Sequence, residues 1–371
     1  MTIADEIKAI EDEIAKTKYN KATQGHIGKL KAKIARLKED QEKHAAKSGG
    51  GGVSFDIKKS GNASVGIVGL PSVGKSTLLN TMTGTESEVA AYHFTTLTVI
   101  PGLLEYRGAK IQILDMPGII QGAARGKGRG KEVISVARSV DLIMLVVDAT
   151  SPAGLQYVLR ELYDANVRLN KKKPDLVVVR TERGGIQVRS TVPLTQVEPE
   201  YIKAIAREFK IVNADIIVRQ DLNTEEVVDA FAGNRVYNKA FVVVNKMDAV
   251  SPPALRSIMH ELEGLGFKVI PVSAKNGVNI DELKDMLFHE LKFIRVYLRP
   301  QGGEADYKEP LVVKEGTDIG LVCDTLHRDM RTRFRWAQVW GKSAKFPGQT
   351  VGIDHIMQDE DVLTLVLRRS G

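Results

Sequence analysis

Eight consecutive residues, Gly69-Leu70-Pro71-Ser72-Val73-Gly74-Lys75-Ser76, carry the spacing G-x-x-x-x-G-K-S. They follow the apolar run Val65–Val68 and precede a helical pattern over Thr77–Met82. That strand–loop–helix setting is the one in which this spacing binds phosphate. The glycines let backbone N–H groups turn inward around phosphate oxygens, and the helix N-terminus adds its dipole. Lys75 offers a point charge to the β and γ phosphates, and the Ser76 hydroxyl is a ligand for Mg²⁺. The candidate nucleotide contacts here are Gly69, Ser72, Val73, Gly74, Lys75, Ser76 and Thr77.

Two further clusters extend the chemistry. Asp115-Met116-Pro117-Gly118 closes an apolar run. An aspartate there can hold a water on Mg²⁺, and the Gly118 N–H can meet a γ-phosphate. Asn245-Lys246-Met247-Asp248 ends the run Phe241–Val244. A carboxylate at Asp248 can accept from guanine N1–H and the exocyclic amine. Adenine lacks that donor pair and would leave the carboxylate desolvated and unpaired. Ser273-Ala274-Lys275 follows the next apolar run and resembles a guanine loop in which a backbone N–H meets O6. Together these residues imply GTP with Mg²⁺, and they argue against an ATP-using enzyme on the same phosphate loop.

These residues need a frame. SVGIVGL, AKIQILDM, VDLIMLVVDA, AFVVVNKMD and FKVIPVSA are short apolar runs alternating with helical patterns. That alternation predicts a mostly parallel sheet covered on both faces, an α/β fold. Its two portions, 64–165 and 239–291, are separated by an inserted α+β subdomain over 166–238. In the insertion, DLVVVRT and IQVRSTV flank a turn at Glu182–Gly185 and are expected to pair as a hairpin. Two helical stretches follow, Glu198–Phe209 and Thr224–Ala232. Residues 292–371 read as a small α+β module: strands in IRVYLRP, PLVVKEG and VLTLVLRR close around one helix near Ile319–Arg328.

At the other end, residues 1–47 read as a helical hairpin arm. Ile3, Ile7, Ile10 and Ile14 form a narrow stripe, repeated by Ile27, Leu30, Ile34 and Leu37. The arm is either a solvated pair packed on itself or on the main domain, or a docking element for a partner. Ser48–Gly52 opens a glycine-rich linker and lead-in over 48–63.

Composition removes other classes. The chain has 371 residues, 43% hydrophobic and 27% charged, ordinary for a folded soluble protein. A single cysteine, Cys323, excludes a disulfide framework and a cysteine zinc cluster. No apolar run approaches the ~20 residues that cross a bilayer, and the acidic start is unlike a signal peptide. A cytoplasmic location without membrane contact is expected. The net charge of +7 fits a nucleic-acid or a membrane-surface partner and establishes neither.

In series, these motifs make the chain resemble a GTPase of the translation-factor-related class, in its Obg-like branch. Tyr92-His93-Phe94-Thr95-Thr96 matches that branch's first switch. The run from Asp115 to Asp141, with the arm, the insertion and the C-terminal module, is similar to the DRG family, the developmentally regulated GTP-binding proteins. The resemblance covers nearly the whole chain. It implies a P-loop GTPase domain, a C-terminal TGS domain of β-grasp fold, and Thr96 as the Mg²⁺ ligand that senses the γ-phosphate. The catalytic set it implies is Lys75, Thr96 and Gly118. It also implies a role on ribosomes or RNA in translation, a dedicated protein partner and a monomeric chain.

Two departures bear on mechanism. Where many small GTPases carry a water-orienting glutamine, this chain has Ile119. Slow intrinsic hydrolysis is therefore expected, with the missing group supplied by a partner, a cation or another part of the chain. Some relatives hold K⁺ partly through an asparagine three residues before the phosphate-loop lysine. This chain has Ser72 there, which weakens K⁺ as a candidate cofactor.

Two features stay open between two readings, and a third, His93, is assigned. Arg125, Lys127, Arg129 and Lys131 are either a solvated loop or one ordered by the γ-phosphate or RNA. His93 is expected to be a switch residue without a proton-transfer role. Arg328, Arg331, Arg333, Arg335 and Trp336, with Trp340 and Lys342 behind, are either an RNA-contacting stretch or a strand with a solvated basic face and core tryptophans. The rival for the whole chain is a signalling GTPase whose accessory domains bind only protein.

Overall fold

The computed structural model describes residues 3–18, 20, 23–48, 61–83, 92–93, 98–116 and 136–368. They divide into two units, one drawn from 1–54 and 166–237, the other from 55–165 and 238–371.

The first unit starts with the helical pair that the isoleucine spacing predicts. α1 (Ile3–Lys16) and α2 (Gln24–Ser48) bury Ile7, Ile10 and Leu37 at their seam. A second seam on α2 consists of small residues, Gly25, Gly28, Ala32 and Ala35, at helical spacing. A Cβ on Gly25 would stand 2.5 Å from the Tyr201 ring, and one on Gly28 would stand 2.6 Å from Thr224 Cγ2. Ala32 and Ala35 are buried in the same apolar cluster as Ile202, Ile205 and Val227. Arg36 Nη1 donates to the Glu208 carbonyl at 2.9 Å, and Lys31 pairs with Glu225. The arm therefore packs on the inserted segment.

In the second unit, β1 (Ala63–Val68) leads through the phosphate loop into α3 (Lys75–Thr83). β2 (Tyr92–His93), β3 (Thr98–Tyr106), β4 (Ala109–Asp115), β5 (Leu142–Asp148) and α4 (Gly154–Asp164) follow.

The insertion then supplies β6 (Val167–Leu169), β7 (Leu176–Arg180), β8 (Ile186–Ser190), α5 (Pro199–Glu208), β9 (Ala214–Val218) and α6 (Thr224–Ala232) to the first unit. The expected hairpin between DLVVVRT and IQVRSTV is not formed. β9 lies between the two strands, antiparallel to β7 and parallel to β8. The reason is burial: Ala214, Ile216 and Val218 of β9 are buried, whereas β7 has no fully buried residue and β8 only Ile186. The strand with the most buried residues takes the centre. α6 is fixed at its start by a reciprocal capping box between Asn223 and Glu226. Asp229 on α6 is clamped by Arg168 and Arg235, whose Nε atoms each lie 2.6 Å from one of its oxygens.

β10 (Val236–Asn245), α7 (Pro252–Gly264), β11 (Val269–Pro271) and α8 (Ile280–Glu290) complete the nucleotide-binding fold. The strand order is β11-β10-β5-β1-β4-β3-β2. β1 runs parallel to β4 and β5, and β10 runs parallel to β5 and β11. β1 is buried along its whole length, as a strand covered on both faces must be. The parallel run points the C-terminal ends of β1, β4, β5, β10 and β11 toward one edge, where α/β sheets place ligands.

The C-terminal module holds β12 (Phe293–Leu298), β13 (Leu311–Lys314), α9 (Ile319–Leu326), α10 (Met330–Arg333), β14 (Phe334–Trp340), β15 (Gln349–Val351) and β16 (Asp361–Leu367). Its sheet order is β13-β12-β16-β14-β15, with β12 and β16 parallel at the centre. One sheet face buries Val296, Ala337, Val339 and Leu363 with Ile319, Val322 and Cys323 of α9. Trp336 and Trp340 lie outside that core, so the reading of core tryptophans is corrected. They alternate with Ala337 and Val339 and face the opposite way. The described helices include none long and apolar enough to cross a membrane.

Candidate nucleotide site

β1 ends at Val68 and the chain must turn at once. Gly69 allows it, since a Cβ there would stand 2.3 Å from the Val146 carbonyl oxygen. Gly74 closes the loop with φ +93, and a Cβ on it would meet Asn245 Nδ2 at 2.4 Å. Ser72 adopts φ 64, a left-handed conformation that costs a non-glycine residue about 1–2 kcal/mol. The tight loop aims its backbone at the N-terminus of α3.

Lys75 opens that helix. Its Nζ donates to the Gly69 and Leu70 carbonyls, each at 3.0 Å. Burial pulls its pKa below the ordinary lysine value, and the Asp115 carboxylate partly offsets this. Ser76 Oγ donates to Asp115 Oδ2 at 3.1 Å. Asp115 is only 2% exposed, and its Oδ1 has no hydrogen-bond partner among the described residues. Burial raises the Asp115 pKa, against the pull of Lys75 and Ser76. A buried carboxylate oxygen without a donor, beside a hydroxyl at a helix N-terminus, is a hard-oxygen setting. It fits a small hydrated divalent cation such as Mg²⁺.

The base-side loops are tied to the phosphate loop through Asn245. Its side chain is buried, donating from Nδ2 to the Val73 carbonyl at 2.9 Å and accepting from the Ala274 N–H at 3.0 Å. Thr81 Oγ1 donates to the Ala274 carbonyl at 3.0 Å, which fixes the same loop from α3. Ser273 is fully buried and exchanges two backbone hydrogen bonds with Val278. Lys275 is exposed beside it. Asp248 sits in the short turn Met247–Ala249, exposed, with no hydrogen bond or ion pair among the described residues. Its carboxylate is available to a base.

Lys246 departs from ordinary geometry. It holds φ 62, and its Nζ donates to Asp148 Oδ2 at 2.6 Å and to the Ser72 carbonyl at 2.9 Å. Asp148 ends β5 in register with Asn245, and its Oδ1 accepts from the Thr150 N–H and Oγ1 at 2.8 and 2.7 Å. Burial alone would raise the Asp148 pKa. Lys246 and Thr150 outweigh it and hold the carboxyl below the usual range. In the sequence Asp148 stands near the end of the apolar run VDLIMLVVDA and belongs to none of the motifs named above. The available signal is its place at the C-terminal end of a central strand.

The structure thus brings together Gly69–Thr77, Asp115, Asn245, Lys246, Asp248 and Ser273–Lys275. Thr96, Gly118, Ile119 and the Arg125–Lys131 run lie outside the described residues. His93 is placed in β2 by its backbone alone.

Residues 64–181 match the model of the family described as 50S ribosome-binding GTPase. Residues 183–293 match the C-terminal region of that domain, and 294–367 match the TGS domain. The chain is 45% identical over 376 residues to developmentally-regulated GTP-binding protein 1 homolog of Dictyostelium discoideum, covering 99% of this chain and 100% of that protein. It is 42% identical over 369 residues to developmentally-regulated GTP-binding protein 2 of Homo sapiens, covering 99% and 100%. It is also 42% identical over 373 residues to ribosome-interacting GTPase 1 of Saccharomyces cerevisiae, covering 98% and 99%.

Proposed function

The chain belongs to the DRG family of GTP-binding GTPases, and from that premise we propose that it is a Mg²⁺-dependent GTP-hydrolysing switch acting on ribosomes or RNA in translation. The observation that carries the nucleotide reading is Asn245. One buried amide holds the loop assigned to the phosphates at Val73 and the loop assigned to the base at Ala274, so the two loops are fixed as one unit.

In this reading Lys75 leaves the Gly69 and Leu70 carbonyls and pairs with the phosphates. Ser76 would hold Mg²⁺ directly and Asp115 through a water. Mg²⁺ held there would supply positive charge against the phosphate oxygens. Asp248 accepts from guanine N1–H and the exocyclic amine. The Ala274 N–H is engaged by Asn245 Oδ1, so the base O6 either shares that donor or uses the next N–H, at Lys275. Thr96 and Gly118 sense the γ-phosphate and hold the two switches closed until it leaves. Ile119 offers no hydrogen bond to the attacking water, so the isolated protein hydrolyses GTP slowly.

The ribosome or RNA role is supported by the family model over 64–181 and by the name of the yeast relative. Parallel GTP and ATP titrations test the base assignment, and binding of ATP as tight as GTP overturns it. Salt-dependent co-sedimentation with ribosomes tests the partner, since phosphate contacts weaken steeply with salt. Failure to sediment at low salt in any nucleotide state overturns that role and favours a protein-only partner.

A further inference from the structure

The face of the C-terminal sheet turned away from α9 carries an unusual set of side chains. The registers of β12, β16 and β14 place Tyr297, Val362 and Trp340 in one row across the sheet. The next row holds Thr364 and Gln338, with Arg299 joined to it by Thr364 Oγ1 donating to the Arg299 carbonyl at 2.9 Å. The third holds Val366 and Trp336, beside Gln301. Between these rows lies a cavity of about 240 Å³, lined among others by Arg299, Gln301, Trp336, Gln338, Trp340 and Thr364. Both tryptophans of the chain line it.

We propose that this cavity binds an unstacked base of single-stranded RNA. The proposal rests on the reading of the protein as one that acts on ribosomes or RNA, and names the surface that touches the strand. Three observations favour a nucleic-acid base. The first is the planar character of the site. Trp336 and Trp340 stand two residues either side of Gln338 on one strand face, and the Arg299 guanidinium lies 4.7 Å from the Trp340 ring centroid. Nearby, the rings of Tyr297 and the exposed Tyr307 pack against each other at a tilt of 52°, with centroids 5.0 Å apart. An aromatic sheet face with an arginine plane is the surface on which single-stranded bases stack.

The second observation is a free reader of base edges. The Gln338 amide makes no hydrogen bond among the described residues, and it offers a donor and an acceptor to the cavity. The third is charge: among the described residues no carboxylate lines the cavity, and Arg299 does. A backbone phosphate is the complement of that charge.

The test uses the full-length chain and twelve-nucleotide single-stranded oligo(A) and oligo(U). Because both tryptophans are in the cavity, their emission reports it directly. Saturable quenching by the oligonucleotides is expected, with AMP binding far more weakly. By anisotropy of a labelled oligonucleotide, Trp336→Ala is expected to lose about tenfold in affinity and Trp336→Phe to retain most of it. Gln338→Ala is expected to lose a few-fold without loss of fold, checked by circular dichroism and GTP binding.

Oligonucleotide binding with unchanged tryptophan emission, or with Trp336→Ala and Gln338→Ala both unaffected, overturns the cavity while leaving the RNA role standing. So does ribosome co-sedimentation without oligonucleotide binding. AMP binding as tightly as the oligonucleotides assigns the cavity to free nucleotides and overturns the strand. Quenching by a proline-rich peptide with none by RNA overturns it in favour of a protein partner. Absence of both oligonucleotide and ribosome binding removes the cavity and the RNA role together.

Discussion

Asp148 Oδ2 lies 2.6 Å from Lys246 Nζ, and the same ammonium reaches the Ser72 carbonyl at 2.9 Å. One ion pair thereby links the end of β5, the base loop and the phosphate loop. Lys246 is held with φ 62, a conformation a lysine adopts only where its surroundings over-determine it. Asp148 is what over-determines it: fixed from behind by Thr150, it leaves one oxygen for the lysine. The stem of Lys246 is then placed beside the base pocket before any nucleotide arrives, which lowers the ordering cost of binding.

Asp148→Asn is therefore expected to weaken GTP by about tenfold, the scale of one charge-assisted hydrogen bond, with little change in fold. Isothermal titration measures it, and unchanged affinity would remove Asp148 from the site. The pH dependence has a defined sign. A carboxyl whose folded pKa is depressed contributes stability above its ordinary value, near ~4, and loses it only as pH falls through the depressed value. The stability difference between wild type and Asp148→Asn should thus be flat from pH 5 to pH 8. A difference that shrinks on going from pH 8 to pH 5 would contradict the depressed carboxyl.

A second prediction concerns the inserted segment. Asp229 is one-tenth exposed at its side chain and is shared by Arg168 and Arg235, themselves 8% and 7% exposed. Removing the carboxylate leaves two buried guanidinium groups facing each other. Asp229→Ala is expected to destabilise the protein by about 3–5 kcal/mol, the cost of breaking a buried pair from one side. Urea unfolding measures this, and a loss below about 1 kcal/mol would mean that water reaches the cluster. The same field keeps Tyr237 neutral: burial first, then the Asp229 charge, push its phenol up to about 12.

How much of this was legible in the residues depends on whether the information is local. The phosphate loop, Asp115 and Asn245–Asp248 are legible because their spacing is set by a single turn of backbone. Asp148 is not, because a lone aspartate at a strand end looks like any other polar boundary. The insertion misleads for a different reason. Neighbouring strands pair about two-thirds of the time, and the turn at Glu182–Gly185 favours that expectation. The short β9, Ala214–Val218, overrides it by being the more buried strand. The α1–α2 seam shows in isoleucines. The tighter seam of α2 with the insertion is written in Gly25, Gly28, Ala32 and Ala35, which read as background until the close approach of Tyr201 is seen. Trp336 and Trp340 needed the alternation of β14 to show which face they occupy.

Asp248→Asn tests base recognition in isolation, because the carboxylate makes no contact within the described residues that the change would break. The amide presents a donor where guanine presents one. Affinity for GTP is expected to fall about 100-fold, while xanthosine triphosphate, whose base offers an acceptor there, is expected to gain. Competition binding with both nucleotides decides it. Unchanged GTP affinity would move the base contact elsewhere.

The cation question turns on Ser72. Its φ of 64 lies in the region where asparagine is tolerated best among residues with a side chain, so Ser72→Asn should not strain the loop. Asparagine extends a carbonyl oxygen farther than the serine hydroxyl and would complete a K⁺ site beside the phosphates. The wild-type protein, with Ile119 unable to orient water, is expected to hydrolyse GTP slowly in single turnover, with similar rates in KCl and NaCl at equal ionic strength. Ser72→Asn is expected to raise the KCl-to-NaCl ratio several-fold. A wild-type ratio already far above one would assign K⁺ to the serine loop as it stands. An unchanged ratio in the variant would show that this position does not touch the cation, and that the missing group comes from a partner or from another part of the chain.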